Sequence, residues 1–175
     1  MNDGIVIRQL DILQEADIEQ LADVLMDCVE GGASVSFMQP LSRMKAAGFW
    51  RGLVADVSAG RRLLLIAQDA RDIIVGTVQV VLASSENQPH RADIAKMLVH
   101  RRARQRGIGA TLMRAAETAA RSAGRTLLVL DTATGSEAER LYAKLGWIRV
   151  GMVPDYALWP AGGFCGTTFY YRRLA

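Results

Sequence analysis

The chain has 175 residues, half of them hydrophobic and 22% charged, which is enough to form one domain with a substantial buried core. Two cysteines, two histidines and a net charge of +3 exclude a disulfide framework, argue against a zinc site, and do not by themselves indicate a nucleic-acid-binding protein. The sequence shows neither a signal peptide nor the roughly 20 consecutive apolar residues of a membrane span. We therefore expect a single domain, residues 1–175, in the cytoplasm and without a metal.

The first third of the chain predicts a strand and two helices. Residues 5–7 form a short apolar run typical of a strand, and apolar residues then recur with helical spacing from Glu15 until Gly31-Gly32, which should end the helix. A second helix should follow Pro40, with apolar residues at Met44, Ala47, Trp50, Leu53, Val54 and Val57. The loop between the helices, residues 31–38, either lines a pocket for a ligand or connects the helices while Val35 and Phe37 fill the core.

The remainder of the chain alternates strands and helices. Residues 62–68 and 73–83 are apolar runs separated by a polar turn, which predicts an antiparallel hairpin. Strand 92–99, helix 107–123 and strand 126–132 should form a βαβ unit with a right-handed crossover, whose ligand lies beyond the carboxyl ends of the strands. A short helix marked by Ala138, Leu141, Tyr142 and Leu145 and strands at residues 146–151 and 167–173 complete the pattern.

The junction between strand 92–99 and the following helix is rich in arginine and glycine. A helix N-terminus attracts anions because its first backbone N–H groups have no intrahelical partners. Gly107 and Gly109 would let phosphate oxygens approach that backbone, and Arg101, Arg102, Arg104 and Arg106 would surround it with positive charge. A pyrophosphate is the expected ligand; a solvent-exposed basic turn and a nucleic-acid site are the alternatives.

The segment Arg104-Gln105-Arg106-Gly107-Ile108-Gly109 resembles the acetyl-coenzyme A motif of the GNAT N-acetyltransferases, Arg/Gln-x-x-Gly-x-Gly/Ala. The resemblance covers nearly the whole chain, including the loop at residues 30–38, Leu130-Asp131-Thr132 and Arg149-Val150-Gly151. It implies an α/β (α+β) fold: a mixed, mostly antiparallel sheet of about seven strands flanked by four helices, with a splayed parallel pair of strands at the cofactor cleft.

The resemblance also implies which residues bind the acyl donor, acetyl-CoA. Backbone groups of Met97, Leu98 and Val99 would pair with the pantetheine arm, and one N–H would polarise the thioester carbonyl. The other cofactor contacts would be Arg104, Gln105, Arg106, Gly107, Ile108, Gly109, Ala110 and Ser136. His100 replaces the family's usual proline, and Gln105 replaces a usual glycine.

Acyl transfer to an amine requires removal of a proton from an ammonium whose pKa is about 10.4. Asp131 closes an apolar strand, where desolvation would raise its pKa, so it is the first candidate base; Asp93 is the second. Asp131 could instead cap the next segment, and Asp93 could pair with Arg91 or Lys96. Tyr142, in the stretch that matches the family's Tyr-x-x-Leu-Gly-aromatic ending, would by resemblance protonate the departing thiolate, unless it is a core tyrosine.

By the same resemblance, the loop at residues 31–38 would contact the acceptor through Gly32, Ala33, Ser34 and Phe37. His90 and His100 are weaker candidate bases, and Cys28 fits the core better than the role of an acyl-carrying nucleophile, which favours direct transfer in a ternary complex.

The expected activity is acetyl transfer to a small-molecule amine, including amino-acid-like toxins or antibiotics. Peptide N-terminal acetylation and a non-catalytic acyl-CoA sensor are the alternatives. We expect neither a nucleic-acid nor a membrane partner, and a homodimer is considered.

Overall fold

The structure is a computed structural model that describes residues 4–174. Seven strands form one sheet in the order β1-β2-β3-β4-β5-β7-β6, and every neighbouring pair is antiparallel except β4 and β5. The strands are β1 (Val6–Leu10), β2 (Arg62–Gln68), β3 (Ile74–Leu82), β4 (Arg91–Val99), β5 (Leu127–Ala133), β6 (Ile148–Leu158) and β7 (Phe164–Arg173). The predicted fold class, hairpin and βαβ unit are confirmed.

Helices cover the two faces of the sheet. They are α1 (Glu15–Glu30), α2 (Arg43–Arg51), α3 (Val54–Ser58), α4 (Ile108–Ser122) and α5 (Glu137–Lys144), with a 3₁₀ turn at Arg101–Ala103. One core packs α1 and α2 against the sheet around Trp50, and a second packs α4 against the opposite face around Leu112 and Met113. None of the helices within residues 4–174 has the length and apolarity to span a membrane.

The parallel pair β4 and β5 opens towards its carboxyl ends. Only three residue pairs match in register, from Arg91 with Leu127 to Asp93 with Val129. Further along, β4 bulges: Leu98 pairs with Thr77 and Ala95 with Gln79, so two residues of β4 oppose one residue of β3. The opening confirms the splayed pair that the family resemblance implied, and no feature of the sequence had indicated the bulge.

Two elements differ most from the sequence prediction, and other limits shift by a few residues, such as the start of β7 at Phe164 rather than residue 167. The single helix predicted after Pro40 divides into α2 and α3 at Gly52, because glycine is a poor helix former. With these two pieces taken together, the four predicted helices are present. Strand β6 extends past residue 151 to Leu158, because it is an edge strand and a bulge between Val153 and Ala157 accommodates Pro154.

Candidate functional site

The N-terminus of α4 faces open space at the carboxyl end of β4. Gly107 is the N-cap in a left-handed conformation, φ 77°, and no side chain caps the helix. The first intrahelical bond runs from Thr111 N to Gly107 O, which leaves the preceding amides without a helical acceptor. A Cβ on Gly107 would meet no atom within 4 Å, so the space over these amides is free for an anion.

Gly109 has a different reason to be glycine from the one that the sequence suggested. A Cβ at this position would lie 3.0 Å from Leu141 Cδ2 and 3.7 Å from Met97 Sδ. The missing side chain therefore lets α5 pack against the first turn of α4. Close approach of a phosphate is supported by Gly107, whereas Gly109 fixes the position of α5.

Arg101 and Arg104 at this junction are held by contacts within the protein. Arg101 donates from Nε to Asp27 Oδ1 (2.9 Å) and from Nη2 to Glu30 Oε2 (2.8 Å), which ties the 3₁₀ turn to the end of α1. Arg104 donates from Nε to the Val99 carbonyl (3.1 Å). Their charges are thus partly offset internally, so mutual repulsion indicates an anion less strongly than the sequence implied.

Gln105 stands where the family motif usually has glycine, and its backbone shows why glycine is usual there. It adopts a left-handed backbone, φ 61°, which glycine tolerates and a residue with a Cβ does not favour. The usual glycine at this position is therefore explained by the conformation, and the chain retains that conformation with a glutamine.

His100 and Cys28 lie on the α1 side of β4. Burial lowers the pKa of His100, and Arg102 and Arg101 act in the same direction against the opposing effect of Asp27. Cys28 is buried, and its Sγ donates to the Val99 carbonyl at 3.5 Å. Burial raises the pKa of this thiol, which disfavours the thiolate that a nucleophile requires.

Met97, Leu98 and Val99 form the edge of the opening between β4 and β5. Leu98 is buried against the α1 and α2 core, whereas Met97 and Val99 pack partly against the α4 core. Because β4 pairs with β5 only as far as Asp93, the backbone of this segment has no strand partner on the side of the opening. An extended ligand arm can lie there.

A cavity of about 320 Å³ lies beyond the end of β5, on the α1 and α2 side of the sheet. It is lined by Ser34, Ser36, Phe37, Met38, Asp131, Thr132, Ala133, Tyr156, Ala157, Leu158 and Thr167. We call it the acceptor cavity. Another cavity, of about 470 Å³, is lined by α1 residues, Ile73, Ile74, His100 and Arg102; it contains the secondary candidate base His100 but not Asp131, Asp93 or Tyr142.

The four predicted acceptor contacts divide between the cavity wall and the turn that precedes it. Ser34 and Phe37 line the acceptor cavity, and Ser34 Oγ donates to the Leu158 carbonyl at 3.0 Å. Gly32, φ 89°, forms the turn after α1, and Ala33 packs against the core beneath the loop. Both readings of this loop thus describe part of it: Phe37 lines the cavity and also packs against the core.

Asp131 and Asp93 lie on adjacent strands but have different partners. Asp131 lines the acceptor cavity, and desolvation raises the pKa of its carboxyl; nearby Lys96 acts in the opposite direction, and Asp93 adds to the increase. Asp93 Oδ1 accepts from Arg91 Nη1 at 2.5 Å, one of the two pairings the sequence left open for it. The cap of α5 is Ser136, not Asp131, so the carboxylate of Asp131 is not used for helix capping.

Tyr142 is buried between α5 and the sheet. Its ring contacts those of Trp147 and Tyr170, with centroids 6.1 and 6.2 Å away. Burial raises the pKa of its hydroxyl, and the negative charge of Asp131 contributes, so the phenol stays protonated at neutral pH. Ser136 Oγ accepts from Glu139 N as the cap of α5, and Thr132 Oγ1 lies 3.3 Å from it. Its predicted contact with a cofactor remains a prediction.

Lys96 is a polar residue of this region to which sequence reasoning assigned no function. Its backbone is left-handed, φ 48°, at the bulge of β4. Its Nζ donates to Ser36 Oγ at 3.3 Å and lies 5.5 Å from the centroid of the Phe49 ring. The available signal was a lone lysine in an otherwise apolar stretch of strand.

The residues from 4 to 174 contain no cluster of three or more His, Cys, Asp or Glu side chains suited to a metal ion.

The splayed strand pair, the uncapped helix N-terminus and the nearby cavity belong to an α/β protein, and the open backbone groups there are of the kind that suit an anionic, extended ligand. Comparison with known proteins specifies the class further. The family model described as the acetyltransferase (GNAT) domain matches residues 60–149, just over half of the chain, and the protein belongs to this family of acetyltransferases.

Solved structures share the fold over nearly the whole chain. A GNAT superfamily phosphinothricin acetyltransferase from Sinorhizobium meliloti, in complex with acetyl-CoA, is 17% identical, with a TM-score of 0.81 over 100% of this chain and 90% of that one. An N-acetyltransferase from Staphylococcus aureus is 14% identical (TM-score 0.80, 98% and 99% covered). A ribosomal-protein-alanine N-acetyltransferase from Brucella melitensis is 21% identical (TM-score 0.78, 97% and 99% covered). At these identities the likeness concerns the fold.

Proposed function

We propose that the protein transfers the acetyl group of acetyl-CoA directly to an amine of a small molecule within a ternary complex. The observation that carries this proposal is the position of the acceptor cavity, which contains Asp131 and adjoins the opening between β4 and β5. Family membership supplies the reaction type. The resemblance of the loop at residues 30–38 to the tabtoxin resistance protein, a GNAT enzyme that acetylates an amino-acid toxin, favours an amino-acid-like acceptor and a role in toxin resistance.

The residues at the start of α4 fit the diphosphate of acetyl-CoA. The free amides at its first turn and the open space over Gly107 suit phosphate oxygens, and residues 104–110 surround them. The backbone of Met97 to Val99 has no partner strand on the β5 side, where it would hold the pantetheine arm, and an N–H there would polarise the carbonyl that is attacked. When bound, acetyl-CoA supplies the activated acyl group; the chain supplies orientation and proton transfer.

Two side chains would move the protons. Asp131 would accept a proton from the acceptor's ammonium, directly or through a water, and its raised pKa makes it a better base than an ordinary aspartate. Asp93 would act through its charge, since it contributes to that raised pKa while it is paired with Arg91. Tyr142, kept protonated by burial, would donate a proton to the leaving thiolate.

The acceptor cavity favours a small molecule over a peptide. The loop between α1 and α2 crosses to the far edge of the sheet: Ser34 Oγ donates to Leu158 O at 3.0 Å and Gln39 N donates to Pro160 O at 2.9 Å. This bridge spans one side of the acceptor cavity, which favours a compact acceptor over an extended peptide. Peptide N-terminal acetylation is therefore the second candidate; the similar Brucella structure is that of a ribosomal-protein-alanine N-acetyltransferase.

The testing experiment measures thiol release from acetyl-CoA against amino acids, dipeptides, aminoglycosides and polyamines. We expect turnover with at least one small amine and little with peptides. Acetyl-CoA binding without turnover in any arm would indicate the non-catalytic sensor. If the protein bound DNA or RNA with a strong dependence on salt, and acetyl-CoA did not compete with that binding, a nucleic-acid site at the arginines would be favoured instead.

We also propose that the protein forms a homodimer through β6, an edge strand whose exposed side chains include Val150, 67% exposed, and Ile148, 51% exposed. A long apolar edge strand is suited to pairing with a second copy. Light scattering should give a dimer that Val150→Lys converts to a monomer, whereas a monomeric wild type would refute the proposal. A cytoplasmic location stays a prediction.

A further inference from the structure

Lys96 brings a positive charge to the side of the sheet that carries the acceptor cavity, and the charge of Asp131 acts on it only from beyond ion-pair distance. No carboxylate of residues 4–174 lies within 4.0 Å of its Nζ; its contacts are the Ser36 hydroxyl at 3.3 Å and the face of Phe49. Burial lowers the pKa of Lys96, Arg62 acts in the same direction, and the negative charge of Asp131 opposes both. A desolvated ammonium with no carboxylate in contact is costly, so a ligand that places a carboxylate against it would be favoured.

The neighbouring buried groups are also donors. Arg62, half-buried, donates from Nη1 to Gln79 Oε1 at 2.5 Å, and its Nε has no hydrogen-bond partner among the described residues. Gln79 is fully buried, and within residues 4–174 its Nε2 also has none. Since buried N–H groups are normally satisfied, this excess of donors adds positive potential beneath Lys96. Both unpaired atoms are too buried to contact a ligand, so Lys96 is the group that would reach it.

Backbone strain marks the same place. Ser36, φ 78°, and Lys96, φ 48°, are both left-handed, and their side chains are hydrogen-bonded to each other. A left-handed residue with a Cβ is strained, and such residues cluster at functional sites. Ser36 lines the acceptor cavity, as does Asp131. The cavity region therefore combines a fixed ammonium with a carboxylate, the charges complementary to a zwitterion.

We infer that Lys96 binds the carboxylate of the acceptor, so that the preferred substrates are amino acids or close analogues whose amine is directed to Asp131. This rests on the proposed acetyltransferase function and adds the chemical class of the acceptor and a residue that selects it. Lys96 contacts the substrate's anion and takes no part in proton transfer. Amines that lack a carboxylate should react poorly because they offer no negative charge to pair with the Lys96 ammonium.

The test compares L-amino acids with their carboxamides, which keep the amine and the side chain but lose the negative charge. Wild type should prefer each accepted acid over its amide by about 10-fold or more in kcat/KM, the value expected for a charge-assisted hydrogen bond. Lys96→Met should remove this preference by raising KM for the acids, with the Kd for acetyl-CoA unchanged. Lys96→Arg should restore much of it, and Lys45→Met, which removes an exposed lysine charge on α2, should behave as wild type.

The outcomes separate this inference from the acetyltransferase proposal. If amides are used as well as acids, or if Lys96→Met impairs both equally, the role of Lys96 is refuted while the transferase stands. If no amine releases thiol, the transferase proposal fails. Calorimetric binding of the acid and the amide to coenzyme A-loaded protein then tests the role of Lys96 by itself. Acid-selective binding that is lost in Lys96→Met supports this role, and equal binding of acid and amide, or no binding, refutes it. Acetylation of Lys96, detected by peptide mass spectrometry, would also refute it, since Lys96 would then accept the acyl group.

Discussion

The two sides of the cleft are built in different ways. The cofactor side comes from one continuous segment, residues 97–110, and presents mainly backbone: the unpaired edge of β4 and the first amides of α4. The acceptor side is assembled from the loop at residues 31–38 and from β4, β5, β6 and β7, and it presents side chains such as Lys96 and Asp131. Substitutions on the cofactor side should therefore act through shape and backbone access, and those on the acceptor side through charge and proton transfer.

The largest effect is expected at Gly107. Gly107→Glu places a carboxylate in the space over the α4 amides, where it would repel the diphosphate of acetyl-CoA. A charge pair about 4 Å apart near a protein surface is worth about 4 kcal/mol, so the Kd for acetyl-CoA should rise about 10³-fold in calorimetry.

Gly124→Glu is the matched control for this substitution. Gly124 is also left-handed (φ 74° against 77°), and its Cβ also meets no atom within 4 Å. It lies past the other end of the 15-residue helix, about 22 Å away. Equal loss of affinity in both variants would mean that strain, not the position of the charge, weakens binding, and near wild-type affinity of Gly107→Glu would refute the cofactor site.

On the acceptor side, Asp131→Asn should lower kcat/KM by about 10²-fold with an unchanged Kd for acetyl-CoA, because it removes the base and leaves the α4 amides intact. In wild type, kcat/KM should rise with pH as Asp131 loses its proton, and the limb should lie above the usual range of an aspartate because the pKa is raised. The limb should be absent from Asp131→Asn. If Asp131→Asn kept the kcat/KM of the wild type across neutral and mildly alkaline pH, Asp131 would have no part in the mechanism.

Asp93→Asn distinguishes the two carboxylates. The charge of Asp93 raises the pKa of Asp131, and its loss also releases Arg91 from its ion pair. Both changes lower the pKa of Asp131, so the rising limb should move to lower pH while most of the activity is kept. If Asp93→Asn lost activity and Asp131→Asn lost little, Asp93 would be the base and Asp131 the carboxylate that acts through its charge.

These differences explain what the sequence could and could not predict. The geometry of the proposed cofactor side could be predicted because a strand, a glycine-bearing turn and a helix follow one another along the chain, and local order fixes their arrangement. Even there, the packing role of Gly109 depends on Leu141, which is distant in sequence. Arg101 bonds to Asp27 and Glu30, which lie on α1 and are distant in sequence. No local pattern therefore identified this arginine as structural.

The acceptor side was predicted only in part. Asp131 stands out as a charge that ends an apolar strand, and Phe37 was suggested by resemblance. The position of Lys96 depends on a one-residue shift in the pairing of β3 with β4, which leaves no mark in the sequence. Tyr156 and Leu158 lie in the cavity wall because β6 continues beyond the residue at which the prediction ended it.

Tyr142 connects the two sides, because α5 packs on the start of α4 through Leu141 while the Tyr142 hydroxyl senses the charge of Asp131. Tyr142→Phe should lower kcat by roughly 10-fold to 10²-fold and leave the Kd for acetyl-CoA unchanged. Tyr170→Phe is the control, since Tyr170 also packs in this cluster but its hydroxyl lies 3.3 Å from Glu139. Equal losses in both variants would indicate that Tyr142 serves packing rather than proton transfer.

The smallest effect is expected at Gln105, where the cofactor side retains a strained backbone. Gln105→Gly removes a left-handed cost of about 1–2 kcal/mol but adds about 0.4–1 kcal/mol of unfolded-state entropy. The free energy of unfolding in urea should therefore rise by about 0.5 kcal/mol. Gln105→Ala keeps the Cβ and should leave stability near wild type, which separates the backbone from the side chain. If Gln105→Gly instead weakens acetyl-CoA binding while Gln105→Ala does not, the strain itself shapes the cofactor loop, and the cofactor side depends on this residue as well as on Gly107.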